Sequence, residues 1–360
     1  MKICFFIGNM SHAGGTERVL ATVANGLSGR GYSVFVVSLW GEGQTFFPLS
    51  EEVNLYWLQE KAHPFDVIGQ LGCLSAILTR EKPDFLVDVD IILAFYSFFL
   101  KKRNPGIYWV SWEHFNFYHP FEKNRLLRIL ARRIVCRSAD ELIVLTDGDE
   151  ENYRRNMKMK SGITRIYNPL PYREKAIRRT EEPVILAVGR LTGVKGYDLL
   201  IRSWKLLESD YPDWSVIVIG EGEDRRILEQ LSKEEGLARL YFIGERDPVE
   251  EYYEKAAFLV LPSRGEGFGM VLIEAMYYSL PVVSYSCESG PAEIVEDGET
   301  GFLVEPGDTV AFARKMEVLI RDKELRRKMG ERAQRSVGRF DREEILNQWE
   351  RMLESLSALK

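Results

Sequence analysis

The chain has 360 residues, 45% of them hydrophobic and 28% charged, which excludes a disordered protein and predicts about two folded domains. Its formal net charge is −6 and its pI about 5.6, so we do not expect nucleic acid as a partner. Residues 101–179 depart from this average, because they contain 18 Lys and Arg but 9 Asp and Glu. The excess of positive charge in this region suggests that it binds an anionic partner, whose identity the rest of the sequence has to indicate.

The sequence also indicates where the protein acts. Its four cysteines form no Cys-x-x-Cys pair and lie at no metal-ligand spacing with a histidine, so we expect reduced, buried thiols. Residues 2–7 are typical of a strand rather than of a signal peptide. The longest apolar run, residues 91–100, is about half of what a membrane-spanning helix needs. We therefore expect a cytoplasmic protein, with peripheral contact to the inner face of the membrane left open.

Short apolar strands alternate with helices, and the pattern occurs twice along the chain. Strands separated by helix-length connections are typical of parallel sheets that are buried on both faces. Five strands are predicted in each half, at residues 3–7, 33–39, 85–89, 108–111 and 141–145, and at residues 184–188, 215–219, 240–243, 258–261 and 281–284. The sequence therefore predicts an α/β protein with two Rossmann-like, doubly wound domains.

Two prolines, Pro169 and Pro171, mark the division between the halves, because neither a helix nor a central strand continues through them. We predict domains at residues 1–170 and 171–340. Three helices follow in the tail, at residues 310–321, 323–335 and 342–358. Apolar residues recur every three or four positions from Ile345 to Leu356, so the last helix must pack on another part of the protein.

Glycine-containing loops follow the first strand of each half, where open α/β sheets bind their ligands. In the first loop, Gly14 and Gly15 precede a helix whose backbone amides could bind an anion, and a plain turn is the alternative. The loop has no GxGxxG pattern, which argues against a dehydrogenase. In the second loop, Arg190 and Lys195 suit a diphosphate, and a solvated basic loop is the alternative.

The loop at residues 262–269 is the most informative. It follows an apolar strand, contains glycines at 265, 267 and 269, and leads into a helix whose first amides attract negative charge. Glu266 would repel phosphate, so it suits sugar hydroxyls better. Glu274 lies in an otherwise apolar stretch of that helix, where a buried carboxylate needs hydrogen bonds that a ribose could supply. The alternative for Glu274 is a position on the helix surface.

The stretch from Arg264 to Val304 resembles the signature of the retaining glycosyltransferases of family four. That stretch includes residues 289–295 and 297–304, and two further stretches, residues 14–18 and residues 189–196, fit the same family, so the resemblance covers essentially the whole chain. It implies the GT-B fold, in which two Rossmann-like domains face each other across a cleft. It also implies that the C-terminal helix, residues 341–360, crosses back to an N-terminal acceptor domain, and that residues 171–340 form the nucleotide-sugar donor domain.

The resemblance further implies roles for individual residues. Arg190 and Lys195 would bind the donor diphosphate, Glu266 the sugar hydroxyls, and Glu274 the ribose. The implied donor-binding residues are Gly14, Gly15, Arg190, Lys195, Ile243, Arg246, Glu266, Gly267, Phe268, Gly269, Met270 and Glu274. The implied catalytic residues are His114, Glu266, Arg190 and Lys195.

His114 follows a strand of the first half, where an imidazole could contact the reacting sugar. A buried, hydrogen-bonded histidine is an equal alternative at this position. Asp88-Val89-Asp90 has the spelling of a metal motif, but it precedes an apolar helix and lies in the first domain. We therefore predict a metal-independent enzyme without a cofactor. We also expect same-face substitution, because no second carboxylate is placed as a nucleophile.

Residues 121–137 are predicted to form an amphipathic helix with aliphatic and arginine-rich sides. Such a helix can dock on anionic lipid headgroups, and the alternative is a helix that packs on the domain core with solvated arginines. We expect contact with an anionic membrane surface or a polyprenyl-diphosphate acceptor. The residues assigned to this contact are Lys123, Arg125, Arg128, Arg132 and Arg133.

The sequence therefore predicts a retaining enzyme that transfers a hexose or N-acetylhexosamine from a UDP-sugar. The acceptor would be a glycan or a lipid-linked oligosaccharide in cell-surface polysaccharide biosynthesis. Two alternatives on the same fold are a non-catalytic nucleotide-sugar sensor and a nucleotide-sugar epimerase.

Overall fold

The computed structural model describes residues 1–41, 43–59, 66–118, 125–172 and 180–358. The chain divides into two units, one formed by residues 1–171 with residues 342–360 and the other by residues 172–341. The expected division at residue 170 lies one residue away. The acceptor and donor roles assigned to the two halves stay predictions.

The first unit is a seven-stranded parallel sheet with strand order β3-β2-β1-β4-β5-β6-β7. Its central strands are apolar runs that are buried on both faces, as parallel sheets require. In chain order its elements are β1 Lys2–Asn9, α1 Gly15–Gly29, β2 Ser33–Trp40, β3 Asn54–Trp57, α2 Val67–Glu81, β4 Phe85–Val89, α3 Ala94–Arg103, β5 Tyr108–Trp112, α4 Arg125–Ser138, β6 Glu141–Val144, α5 Asp147–Asn156 and β7 Gly162–Arg165.

The second unit is a six-stranded parallel sheet with strand order β10-β9-β8-β11-β12-β13. Its elements are β8 Val184–Val188, α6 Tyr197–Lys205, β9 Ser215–Ile219, α7 Arg225–Glu234, β10 Leu240–Phe242, α8 Glu250–Lys255, β11 Phe258–Leu261, α9 Met270–Tyr277, β12 Val282–Tyr285, α10 Pro291–Ile294, β13 Gly301–Val304, α11 Thr309–Arg321 and α12 Lys323–Ser336. Both sheets are doubly wound, as predicted.

The C-terminal helix α13, Arg342–Ser357, returns to the first unit. Its Trp349 is fully buried and packs edge-on against Trp112 of β5, with ring centroids 4.7 Å apart. Phe5 of β1 contacts the same indole at 5.9 Å. The apolar stripe of this helix therefore finds the partner that the sequence required.

Strand order fixes where each sheet can bind a ligand. In the first sheet the order reverses between β1 and β4, and in the second between β8 and β11. At such a switch point the loops that follow the two neighbouring strands separate and leave a crevice. The loops that follow β8 and β11 are the two that the sequence singled out in the second half.

Within the residues described, no helix is long and apolar enough to cross a bilayer. Cys4, Cys136 and Cys287 are buried, as expected, whereas Cys73 on α2 is exposed. Burial raises the pKa of the Cys136 and Cys287 thiols to about 12 in each case. These two thiols therefore stay protonated at neutral pH.

Candidate functional site

The loops after β8 and β11 lie directly against each other in the second unit. The backbone amide of Arg264 donates to the carbonyl of Val194 across a distance of 2.8 Å. Gly196 has a φ of +65°, and a Cβ at this position would come within 2.1 Å of the carbonyl oxygen of Pro262. Only glycine permits this close approach, because it tolerates positive φ and has no side chain.

Glu266 and Lys195 join these two loops by an ion pair. The Lys195 Nζ lies 2.7 Å from Glu266 Oε1, and Ser263 Oγ donates to the same oxygen at 2.6 Å. The Glu266 side chain is 7% exposed, whereas Lys195 is half-buried. Because an ammonium has three donors, Lys195 can hold Glu266 and still bind a phosphate oxygen.

The two arginines of these loops, Arg190 and Arg264, differ in their contacts. Arg264 forms a bidentate pair with Asp198 of α6, with both distances 2.7 Å. Hydrogen bonding from Arg264 lowers the pKa of Asp198 against the opposing effect of burial. Arg190 is exposed on the loop after β8. Arg264 therefore stiffens the site, and Arg190 lies where a soluble anion can reach it.

A helix begins where the glycine-rich loop ends. Gly269, with a φ of +101°, precedes α9 and allows the chain to turn into the helix. The Phe268 ring is buried against Phe340, with centroids 5.5 Å apart, so Phe268 offers a ligand its backbone alone. Gly267 and Met270 are half-buried on either side. The backbone amides and the dipole of this helix start attract an anion.

Glu274 lies on the buried side of α9, and 4% of it is exposed. The Tyr253 hydroxyl of α8 donates to Glu274 Oε2 at 3.0 Å, and the Tyr253 ring stacks on Tyr278 at 5.5 Å. The alternative of a helix-surface glutamate is therefore wrong. A carboxylate oriented in this way is suited to accept hydrogen bonds from a diol.

The loop after β10 lies beside the loop after β9. The amide of Gly220 donates to the carbonyl of Gly244 at 3.0 Å, and Ile243 continues the pairing with Val218. Arg246 is exposed, and Ile243 is half-buried. Their assignment to the donor base stays a prediction.

In the first unit, Gly14 and Gly15 lie at the start of α1. The carbonyl of Gly14 accepts the amide of Arg18 at 3.1 Å, so the helix begins here with a glycine and without a side-chain cap. His12 pairs with Asn9 within the same loop at 3.1 Å. The geometry is that of a helix N-terminus beside the switch point of the first sheet.

His114 follows β5 and is 8% exposed. Its ring lies 4.4 Å from that of Trp112, and among the described residues its Nε2 has no hydrogen-bond partner. Burial, and then the charge of Arg128, lower the pKa of His114 to about 3. The imidazole is therefore neutral at physiological pH, with a buried polar atom that lacks a partner within the described part of the chain.

Helix α4 corrects the prediction for two arginines. Arg128 and Arg132 were expected at a membrane, but their side chains are each 9% exposed and point into the first unit. They bind Asp90, Glu113 and the carbonyls of Asn116 and Phe117. Both arginines are buried because the Asp90 and Glu113 carboxylates and the carbonyls of Asn116 and Phe117 need donors on this side of α4.

The opposite side of α4 faces solvent. Arg125 and Arg133 are exposed there, and Lys123 lies outside the described residues. We define the outer face of α4 as Arg125, Leu126, Leu127, Leu130, Arg133 and Arg137. It carries exposed leucines between arginines and contains no acidic residue. Leu126 is 82% exposed. An exposed apolar and basic surface of this kind is suited to contact with a partner.

The carboxylates of Asp88 and Asp90 do not converge on a cation position. Asp88 is buried and accepts the indole N–H of Trp109 at 2.7 Å, and Asp90 binds Arg128. Within the described ranges, no group of three or more His, Cys, Asp or Glu side chains could hold a metal ion.

Comparison with known proteins shows the family of this chain. Residues 13–172 match the model of Glycosyltransferase Family 4, and residues 171–336 match that of Glycosyl transferases group 1. An uncharacterized glycosyltransferase of Haemophilus influenzae is 33% identical over 358 residues, which are 98% of this chain and 99% of that protein. This chain is a glycosyltransferase of family four.

Two further proteins are similar to this glycosyltransferase over nearly its full length. The Campylobacter jejuni GalNAc-alpha-(1->4)-GalNAc-alpha-(1->3)-diNAcBac-PP-undecaprenol alpha-1,4-N-acetyl-D-galactosaminyltransferase is 27% identical, with 98% of each chain covered. Anabaena HepE, solved in complex with UDP and glucose, has a TM-score of 0.81 and 20% identity, with 98% of this chain and 99% of that chain covered. The second likeness shows the GT-B fold.

Several residues of the site were missed in the sequence. Ser263 holds Glu266, Tyr253 holds Glu274, and Glu113 binds two arginines. The four-residue spacing of Arg128 and Arg132, in register with Ala131 and Val135, was a signal that could have placed both on the buried side of α4.

Proposed function

We propose that this glycosyltransferase moves a hexose or N-acetylhexosamine from a UDP-sugar to a glycan or lipid-linked oligosaccharide, with retention of configuration. The process would be cell-surface polysaccharide biosynthesis. The observation that carries the proposal is the group formed by Lys195, Glu266 and the start of α9 at the switch point of the second sheet. The group combines a cation, a sugar-binding carboxylate and an anion-binding helix end.

The donor would bind mainly through the second unit. Arg190 and Lys195 bind the diphosphate together with the amides at residues 267–270, and Glu266 accepts hydroxyls of the sugar. Glu274 accepts the ribose hydroxyls, because Tyr253 holds its carboxylate in place. The uracil base lies beside Ile243 and Arg246, and Gly14 and Gly15 of the first unit approach the donor. UDP as the nucleotide is supported by the UDP complex of Anabaena HepE.

The reaction requires that negative charge on the departing phosphate be stabilised. Arg190, Lys195 and the helix start of α9 supply fixed positive charge for this purpose, without a metal ion. His114 is neutral, so it acts as a hydrogen-bonding group toward the sugar rather than as a proton donor.

The carboxylate nearest to His114 in sequence bears on the route by which configuration would be retained. Glu113 is the carboxylate next to His114, and Arg128, Arg132 and Tyr153 already bind it. A carboxylate that accepts hydrogen bonds from an arginine and a tyrosine and pairs with a second arginine is a poor nucleophile. We therefore favour same-face substitution, in which the leaving phosphate assists deprotonation of the acceptor.

The acceptor would be bound at an anionic membrane surface. A lipid-linked acceptor is supported by the undecaprenol-linked name of the Campylobacter jejuni relative. The outer face of α4 supports contact with lipid, because its exposed leucines can enter the headgroup region while its arginines bind anionic lipid. The enzyme would then work in the cytoplasm, peripherally on the inner face of the membrane.

The test is a transfer assay with UDP-glucose, UDP-galactose and their N-acetylated forms, in the presence of EDTA and a polyprenyl-diphosphate-linked oligosaccharide. We expect one UDP-sugar to release UDP and to give an α-linked product whose anomeric configuration is read by NMR. Turnover that stops in EDTA and returns with Mg²⁺ would contradict the metal-free proposal, and a β-linked product would contradict retention.

The same assay separates the two alternatives. A nucleotide-sugar sensor would be stabilised thermally by one UDP-sugar without any turnover when acceptors are added. An epimerase would convert the donor into its epimer in the absence of an acceptor. Either result would replace the transferase proposal.

A further inference from the structure

Helix α4 carries two buried arginines one turn apart. Arg128 and Arg132 are separated by four residues and therefore lie on the same side of the helix. Burying a guanidinium is costly unless several groups compensate its charge. The contacts of both arginines supply this compensation.

Arg128 connects the carboxyl ends of two neighbouring strands. Its guanidinium forms a bidentate pair with Asp90, at 2.9 and 2.8 Å, just after β4. It also lies 3.3 Å from Glu113, just after β5, and 4.1 Å above the ring of Phe115. Asp90 has a φ of +103°, a conformation that non-glycine residues adopt rarely and that its contacts must hold in place.

Arg132 holds the other end of the same segment. It donates to the carbonyl oxygens of Asn116 at 3.0 Å and Phe117 at 2.5 Å, and it lies 3.6 Å from Glu113. Asp149 accepts the amide of Phe117 at 2.9 Å. The segment from Glu113 to Phe117 is therefore fixed on both sides of His114.

We infer that Arg128 and Arg132 are positioning residues that hold the segment Glu113–Phe117 so that the His114 imidazole faces the reacting sugar. The inference rests on the proposed role of His114 at the donor. The imidazole itself contacts Trp112, and its Nε2 has no hydrogen-bond partner among the described residues. Its position is thus set through its backbone neighbours rather than through hydrogen bonds of that ring nitrogen.

Charged and titratable groups surround the segment and set the electrostatic environment of His114. Asp90 after β4, Glu113 after β5, Arg128 and Arg132 from α4, and Asp149 and Tyr153 from α5 surround it. The positive charge of Arg128 is one cause of the low pKa of His114, after burial. Loss of that charge should therefore raise the pKa of His114.

The test compares four proteins: wild type, Arg128→Gln, Arg128→Lys and the control Arg155→Gln. Arg155 lies on α5 of the same unit, and its side chain is 70% exposed. The pKa of His114 is measured by NMR of the imidazole ring without donor. The chain has four histidines, so a His114→Asn spectrum assigns the signal. We expect Arg128→Gln to raise this pKa, and the control to leave it unchanged.

Kinetics with the UDP-sugar give the second readout. We expect Arg128→Gln to lower kcat by about 10- to 100-fold, because a small displacement of a catalytic group costs this much. KM for the donor should change by less than about threefold, since the diphosphate binds to the second unit. Arg128→Lys should recover part of kcat, because it restores the charge without the bidentate pair.

Arg128→Gln leaves the Asp90 carboxylate without its bidentate partner, so the double variant Arg128→Gln/Asp90→Asn is a second test in case the single one does not fold. A folded variant with wild-type kcat and an unchanged pKa of His114 would overturn the inference. A merely structural role would lower the thermal midpoint without changing either quantity. If the wild type transfers no sugar, the proposed function fails, and the ring chemical shifts of neutral His114 in wild type and Arg128→Gln still show whether the arginine holds the imidazole in place, since unchanged shifts would overturn the inference.

Discussion

Asp88 shows how burial sets the chemistry of a single residue. It lies on β4 and is fully buried, and one of its oxygens accepts the indole N–H of Trp109 at 2.7 Å. Burial raises the pKa of Asp88 from 3.8 to about 7. The spelling Asp-x-Asp is that of a metal motif, which the sequence context already argued against, and the surroundings of this carboxylate favour a proton.

The raised pKa makes stability depend on pH in a defined direction. The folded protein binds the Asp88 proton more tightly than the unfolded chain does, so stability is highest at low pH and falls as pH rises from about 4 to about 7. We expect Asp88→Asn to be more stable than wild type at pH 8, by roughly 1–3 kcal/mol. This difference should narrow toward pH 5.

The measurement is the thermal midpoint of wild type and variant at pH 5 and pH 8. The exposed Asp213→Asn is the matched control, and its difference from wild type should not vary with pH. A difference for Asp88→Asn that is the same at both pH values would show that Asp88 does not titrate in this range.

At the scale of single residues, the sequence indicated the charged residues of the candidate site but not the side chains that hydrogen-bond to them. Lys195, Glu266 and Glu274 were found because glycines and an apolar helix make a charged residue conspicuous. Ser263 and Tyr253 were missed because a hydroxyl on a strand end or on another helix has no local signal. Such partners are fixed by tertiary packing, which a single sequence does not show.

At the scale of the element, the strands in the sheet interior were predicted, whereas three of the four edge strands were not. Four of the ten predicted strands, β4, β8, β9 and β11, have the expected bounds. The missed strands β3, β7 and β13 all lie at sheet edges. β3 and β7 are only four residues long and largely half-buried, so they lack the continuous apolar run of a strand that is buried on both faces.

Helix α4 was predicted as a helix, but its sides were assigned wrongly. Arginines occur all around it, so composition alone made every arginine resemble a solvated one. The structure separates them into Arg128 and Arg132 on the buried side and Arg125, Arg133 and Arg137 on the outer face. The buried side binds groups of the first unit, and the outer face carries the proposed contact with lipid.

The outer face of α4 gives a prediction about membranes. We expect the triple variant Leu126→Ser/Leu127→Ser/Leu130→Ser to bind vesicles containing anionic lipid at least about tenfold more weakly than wild type, because three exposed leucines no longer enter the headgroup region. Binding is measured by vesicle co-sedimentation at low and at high salt.

The matched control is Leu206→Ser, a half-exposed leucine of the second unit that should leave binding unchanged. Wild-type binding should fall as salt is raised, because arginines supply part of the attraction. Equal binding of the triple variant and wild type, or binding that salt does not affect, would show that this face is not the lipid contact.

At the scale of the whole molecule, most of the architecture follows from the sequence. Apolar runs of strand length, helical connections and two prolines near residue 170 are sufficient to predict two doubly wound sheets. Strand order then places the loops after β8 and β11 at a switch point, and this explains why residues as distant in sequence as Lys195 and Glu266 meet. The identity of the sugar and of the acceptor does not follow, because both depend on side-chain contacts of a bound ligand.

The central claim is that the second unit binds the donor at this switch point, and titration of UDP and of uridine by calorimetry in EDTA tests it most directly. The proteins are wild type, Lys195→Ala, Glu274→Gln and the exposed control Lys233→Ala. Lys195→Ala should weaken UDP binding about 10- to 100-fold and leave uridine binding unchanged, because it removes a contact to phosphate alone. Glu274→Gln should weaken both ligands, and Lys233→Ala neither. Equal binding of UDP to Lys195→Ala and wild type, or no binding of UDP to wild type, would contradict the account.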